Sequence, residues 1–171
     1  MRGGAFGTFT EKHRGLLNDL IKENPSLLIN GPLEILTHTP KLLDFDNKCL
    51  YFQHNLQKLR QSVDRYEGLH LNIRRNNIFE DSFHAMAGRS ASQLKGRLHV
   101  SFRGEEGMDA GGITREFYQV ISREMFNPGY ALFSPSDEGC FQPNPASAIN
   151  PDHFRYVEFS GRVVGMALWD G

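Results

Sequence analysis

The hydrophobic period of the chain changes within one short stretch, and that change limits the folds open to it. Leu98, Val100 and Phe102 alternate with His99 and Ser101, the period of a half-buried strand, whereas Ile113, Phe117, Val120 and Ile121 recur at helical spacing. Between them lie Gly104, Gly107, Gly111 and Gly112, residues that let a backbone turn sharply. The stretch therefore predicts a strand, a compact glycine turn and a helix start. A phosphate-binding loop is a poor match, because no Gly-Lys-Ser/Thr ends the turn and Glu105, Glu106 and Asp109 would repel an anion. A calcium loop also fails, since the alternating Asx positions and distal Glu are missing. The reading favoured here is structural: carboxylates complement the positive end of the helix and pair with Arg103 or Arg115.

Composition narrows the class further. With 171 residues, 39% hydrophobic and 23% charged, the chain can bury a core, and a net charge of −1 offers no electrostatic case for nucleic acid or anionic membrane. No apolar run approaches a membrane span, and Met1-Arg2-Gly3-Gly4 lacks a signal peptide's apolar core, so a cytoplasmic or nuclear location is expected. Cys49 and Cys140 are expected as free thiols, and the scattered histidines give no metal-site spacing; no cofactor or metal is expected.

Taken in order, residues 1–6 read as a frayed terminus and Thr8-x-x-Glu11 as a capping box. The helix that follows carries His13, Leu16, Leu17, Leu20 and Ile21 as its apolar stripe and stops at Asn24-Pro25. Short helical pieces follow to Thr39-Pro40. From Asp44, Phe45, Cys49, Phe52, Leu56 and Leu59 recur every three to four residues, predicting a helix to about Arg60 with Cys49 buried on its apolar face. Residues 61–68 read as a loop, Leu69, Leu71 and Ile73 as a strand, and Asn77 as the cap of a helix carrying Ile78, Phe79, Phe83 and Met86.

After the glycine turn, the helix is expected to end near Asn127-Pro128-Gly129. Tyr130–Phe133 and Cys140–Gln142 predict a hairpin, and Asn150-Pro151 a final helix reaching Trp169. On that helix Phe154, Val157, Gly161, Val164 and Leu168 form one stripe, and Tyr156, Phe159, Val163, Met166 and Ala167 cover most of the rest. It reads as buried nearly all round, with Gly161 and Gly165 admitting a close neighbour. Since the chain stops at Gly171, a covering segment beyond it is expected. The fold class is α+β, predominantly helical with short antiparallel strands.

These residues, in this order, resemble the first half of a HECT domain, the catalytic domain of one class of ubiquitin-protein ligases. The motifs are Leu43-Asp44-Phe45-Asp46-Asn47-Lys48, Ile73-Arg74-Arg75-Asn76 with Phe79-Glu80-Asp81-Ser82-Phe83, and the run from Phe102 to Phe117 with Gly104, Glu105, Gly107, Asp109, Gly111, Gly112, Arg115 and Glu116. Met125-Phe126-Asn127-Pro128 with Tyr130-Ala131-Leu132-Phe133, Asn144-Pro145, and Phe159 to Gly165 with Gly161 and Arg162 complete the set. Residues 43–171 would be the N-terminal part of the N-lobe, and 1–42 the helical lead-in of the very large family members.

The resemblance implies a two-lobed enzyme that takes ubiquitin from a conjugating enzyme as a cysteine thioester and passes it to substrate lysines. The nucleophile and the conjugating-enzyme site would lie beyond Gly171, and neither Cys49 nor Cys140 matches the family cysteine, so this piece would be an inactive scaffold. Ubiquitin, the conjugating enzyme and protein substrates are the implied partners, and a dimer through the uncovered helix is a further expectation. Two rival readings stand beside it. Some members bind a second ubiquitin noncovalently near the hairpin, where this chain has Phe141; Gly139 occupies the position aligned with the family's tyrosine, and Phe141 is expected as hairpin core. The other is a cysteine hydrolase using Cys140 with His153, for which no orienting partner is evident.

Overall fold

The structure is a computed structural model that describes residues 4–62, 68–105 and 111–171. It divides into two compact units, Met1–Asp64 and Arg65–Gly171.

In the first unit, α1 (Ala5–Lys12), α2 (Arg14–Glu23) and α3 (Ser26–Ile29) lead through two 3₁₀ turns into α4 (Phe45–Ser62). Its core is small: Ile21, Leu28, Leu36, Leu42 and Leu43, with Leu33 and Tyr51 packed against it. Gly31 is required there, because a Cβ would lie 2.7 Å from the Leu27 carbonyl oxygen. The expected capping box is not formed. Helix α1 already begins at Ala5, so Thr8 and Glu11 lie inside it, and the neighbouring Thr10 hydroxyl donates back to the carbonyls of Phe6 and Gly7.

The apolar stripe of α4 faces the other way from expectation, and that of α2 does so only in part, since its Ile21 is buried as expected. On α2, Leu16 and Leu20 are exposed while Asn18 and Ile21 are buried. On α4, Phe45, Phe52 and Leu59 are 77%, 48% and 53% exposed, and Cys49 is only partly covered; the inward face is carried by Asn47, with Tyr51 packed on the core. The cause is the amide of Asn18. Its Nδ2 donates to the carbonyls of Arg14 and Leu42, and its Oδ1 accepts from the Asp44 backbone N–H and from Asn47 Nδ2, all at 2.8–2.9 Å. Hydrogen bonding turns the polar side of α4 inward.

In the second unit, β1 (Leu69–Ile73) and β2 (Leu98–Phe102) pair in parallel, Leu69 opposite Leu98 through Ile73 opposite Phe102. This corrects the antiparallel expectation for these strands. The segment between them carries α5 (Ile78–Met86), long enough for the crossover that a parallel pair needs. Leu69, Leu71, Ile73, Leu98, Val100 and Phe102 point to one core with α5 and α6 (Gly112–Met125), while His70 and His99 stack 4.8 Å apart on the outer face. The hairpin β3 (Phe133–Pro135) and β4 (Phe141–Pro143) is antiparallel and sits slightly later than expected, because Pro128–Tyr130 forms a 3₁₀ turn.

Helix α7 (His153–Asp170) buries Phe159, Ser160, Val163 and Met166, and Phe79 and Phe83 meet Phe159 edge-on. It is not covered all round. The stripe of Phe154, Val164 and Leu168 is 48–77% exposed, and no atom lies within 4 Å of a Cβ built on Gly161 or Gly165. The apolar residues of this helix exceed what the described neighbours cover.

Candidate functional site

The glycine turn is held from outside by one arginine. Arg75 leaves the end of β1 in a 3₁₀ turn and its guanidinium lies over the Phe102 ring, 4.1 Å from the centroid. From there Nε and Nη2 donate to the two carboxylate oxygens of Glu105 at 2.7 and 2.8 Å, and Nη1 donates to Glu116 on α6. One side chain thus joins the end of β1, the end of β2 and the first turns of α6. The hydrogen bonds from Arg75 hold the Glu105 carboxyl below its ordinary range and raise the guanidinium pKa further.

Gly104 and Gly111 adopt left-handed backbone, φ +83° and +101°, on either side of the turn, and Gly112 opens α6. Gly107 and Asp109 lie outside the described residues. Among the described residues Glu105 is paired by Arg75 and not by Arg103 or Arg115: Arg103 reaches the Asn72 carbonyl, and Arg115 is exposed on the rim of a cavity of about 640 Å³, together with Arg97, Thr114 and Tyr118. A second arginine, Arg74, makes the neighbouring clamp. It donates to both Asp81 oxygens from its side chain, at 2.9 and 2.6 Å, and to one from its backbone, which holds that carboxyl far below the usual range.

Around the start of α7 the polar groups are likewise paired. Tyr156 donates to both oxygens of Glu80 at 3.1–3.2 Å, and burial first, then this carboxylate, pushes its phenol up to about 12. Arg162 donates to the Arg89 carbonyl just past the end of α5 and to Glu158 one turn back. Gly161 beside it is exposed.

The hairpin does not assemble a nucleophile. Cys140 is exposed in the turn, where its backbone N–H donates to Ser136 Oγ, while His153 Nδ1 is 2.9 Å from Ser147 Oγ. The Cys140–His153 hydrolase therefore lacks its dyad. Phe141 is 53% exposed and stacks on Phe126 at 4.4 Å, so it is a surface aromatic on a ring pair and not hairpin core. Among the described residues no group of three His, Cys, Asp or Glu side chains could hold a metal, and no helix is long and apolar enough to cross a membrane.

Sequence reasoning placed Glu105 and Glu116 in one motif but missed the residue that joins them. Arg75 stood in a separate motif, and the only available signal was an arginine at the end of a strand of the same sheet.

No protein-family model matches the chain. Known proteins do. The chain is 46% identical over 98% of its length to the Neurospora crassa protein named E3 ubiquitin-protein ligase TOM1-like. It is 46% identical over 97% to E3 ubiquitin-protein ligase UPL1 of Arabidopsis thaliana, and 43% identical over 96% to E3 ubiquitin-protein ligase HUWE1 of Mus musculus. It spans about 4% of the length of each of these relatives.

Proposed function

We propose, on the premise that this chain belongs to the HECT-type E3 ubiquitin-protein ligase family, that it is the scaffold at the start of the catalytic domain and does not itself carry ubiquitin. The observation that carries the reading is the clamp of Arg75 on Glu105 and Glu116. It joins the described ends of the most motif-rich stretch of the chain by charge pairs, and among the described residues it engages both Glu105 and Glu116. In the longer protein, ubiquitin would pass from a conjugating enzyme to a cysteine outside these residues and on to substrate lysines. Residues 1–42 serve as helical lead-in and 43–171 as the first part of the N-lobe. The protein acts in the cytoplasm or nucleus, without nucleic acid or membrane as partner, and the open face of α7 is a place where copies could meet.

The test is a thioester-charging reaction of this chain with activating enzyme, a conjugating enzyme and ubiquitin, resolved without reductant. No reducible adduct is expected. A reducible adduct lost on Cys140→Ala would overturn the scaffold reading and return chemistry to the hairpin.

One observation favours a subsidiary role. Phe141 is exposed and backed by Phe126, an arrangement suited to noncovalent contact with an apolar patch on ubiquitin. Titration of labelled ubiquitin with the chain should then give resonance shifts that vanish on Phe141→Ala; shifts that survive that change would remove Phe141 from the role.

A further inference from the structure

The outer face of the β1–β2 ladder carries two imidazoles side by side, and we infer that they form a two-nitrogen site for a borderline divalent transition metal of the copper, nickel or zinc type. His70 and His99 are direct partners in the parallel register, and their rings stack with centroids 4.8 Å apart and planes 11° from parallel. Adjacent strands lie about 4.8 Å apart, so the backbone itself holds two side chains on one rung within chelating reach. Among the described residues neither imidazole has a hydrogen-bond or ion-pair partner, so each ring keeps a nitrogen lone pair for a metal.

The surroundings leave room for the rings and select the ion. Gly68 lies two residues before His70 on the same side of the strand, and a Cβ there would stand 2.9 Å from His99 Cδ2 and 3.3 Å from its Nε2; glycine keeps that edge of the ring clear. The outward positions of the ladder are His70, Asn72, His99 and Ser101. None is a carboxylate, which disfavours calcium and magnesium, whereas neutral imidazole suits copper, nickel and zinc. In the stacked pair the lone pairs run side by side. A turn of each ring about its Cβ–Cγ bond, a broad torsion, brings one nitrogen from each to about 2.1 Å from a common ion. His70 is exposed and has space for that turn. Water fills the remaining positions, so the ion exchanges and is held more weakly than in a closed site of four protein ligands. Its place in the ladder gives it an effect. Arg75 ties the Ile73–Phe102 end through Glu105, and the ion ties the opposite end, one rung from Leu69–Leu98.

The experiment titrates the 171-residue chain with NiCl2 alone and follows the paramagnetic perturbation of its backbone amide resonances. At the lowest additions the perturbation should appear on both strands together, at residues 68–72 and 97–101. Hydrogen exchange should slow at the Leu69 amide, which donates to the Arg97 carbonyl at 2.9 Å beside the pair. MgCl2 and CaCl2 should have neither effect. These results are read on the unaltered chain, so the proposal stands or falls without a variant. His70→Gln, at an exposed position, should lower the nickel affinity about tenfold or more and clear the perturbation from β2 as well as from β1, because one imidazole alone does not chelate. His99→Gln should likewise clear it from β1. A first perturbation at any other histidine or at a cysteine, an equal response to calcium, or a β2 perturbation that survives His70→Gln would each overturn the proposal.

Discussion

Replacing Asn18 with leucine should cost the first unit far more than a surface change, because the amide satisfies groups on two other segments. Asn18 is fully buried and all four of its hydrogen-bonding positions are used. Leucine removes them together. The Arg14 carbonyl lies on the preceding turn of the same helix, and Asn47 Nδ2 keeps its second partner, the Asn18 carbonyl at 3.0 Å. Two groups are left without their Asn18 partner, the Leu42 carbonyl and the Asp44 N–H. At about 1–3 kcal/mol for each unsatisfied buried group, offset by about 1 kcal/mol from the added apolar burial, the expected loss is about 3 kcal/mol. Urea unfolding followed by helical signal should show that loss, and hydrogen exchange should show the Asp44 amide losing protection. A loss under about 1 kcal/mol with the Asp44 amide still protected would refute the argument that this amide sets the entry and facing of α4.

Three further outcomes follow from the same geometry. Glu105 has a depressed folded pKa, so its stabilising effect is complete above the ordinary value of 4.5 and disappears as the pH falls through the lower folded value; urea midpoints should fall over that acid window, and Arg75→Met should flatten the dependence. Gly111→Ala should destabilise by about 1–2 kcal/mol because φ is +101° although the space is open, whereas Gly161→Ala, exposed in a helix interior with nothing within 4 Å, should stabilise by about 0.5–1 kcal/mol; thermal unfolding of the two variants should shift in opposite directions. Ser82 is fully buried and its hydroxyl has no partner among the described residues, so Ser82→Ala should leave stability unchanged or raise it by about 1 kcal/mol, in contrast to the loss usual for buried positions.

Elements were legible in the sequence where a local pattern settles them. The alternation at Leu98–Phe102, the glycines at 104 and 111 and the helical repeat of Ile113–Ile121 all depend on residues close in the chain. The start of the last helix was read two residues early: Asn150 Oδ1 accepts from the Asp152 backbone N–H in a turn, and α7 opens at His153 with Asp152 at its cap position. The facing of α4 was not legible. Periodicity finds an apolar stripe but cannot say which side of the helix its neighbours occupy, and here a buried amide network outweighed the stripe. Pairing direction was hidden for a similar reason, since alternating residues read the same in a parallel or an antiparallel ladder. The clamp of Arg75 on Glu105 and Glu116 joins residues 30 and 41 positions apart. It becomes visible only when β1 and β2 lie side by side. The exposed Phe141 was misjudged because a short hairpin with one packed ring beneath it cannot bury both rings.

The measurement that bears most directly on the account is the position of the ubiquitin-linked cysteine in the longer protein. The charged, reductant-sensitive adduct would be isolated, and the modified thiol identified by mass spectrometry after the free thiols are blocked. The account predicts a cysteine outside these 171 residues, with Cys49 and Cys140 recovered in the blocked form. Ubiquitin found on Cys49 or Cys140 would contradict the claim that this part of the chain is scaffold.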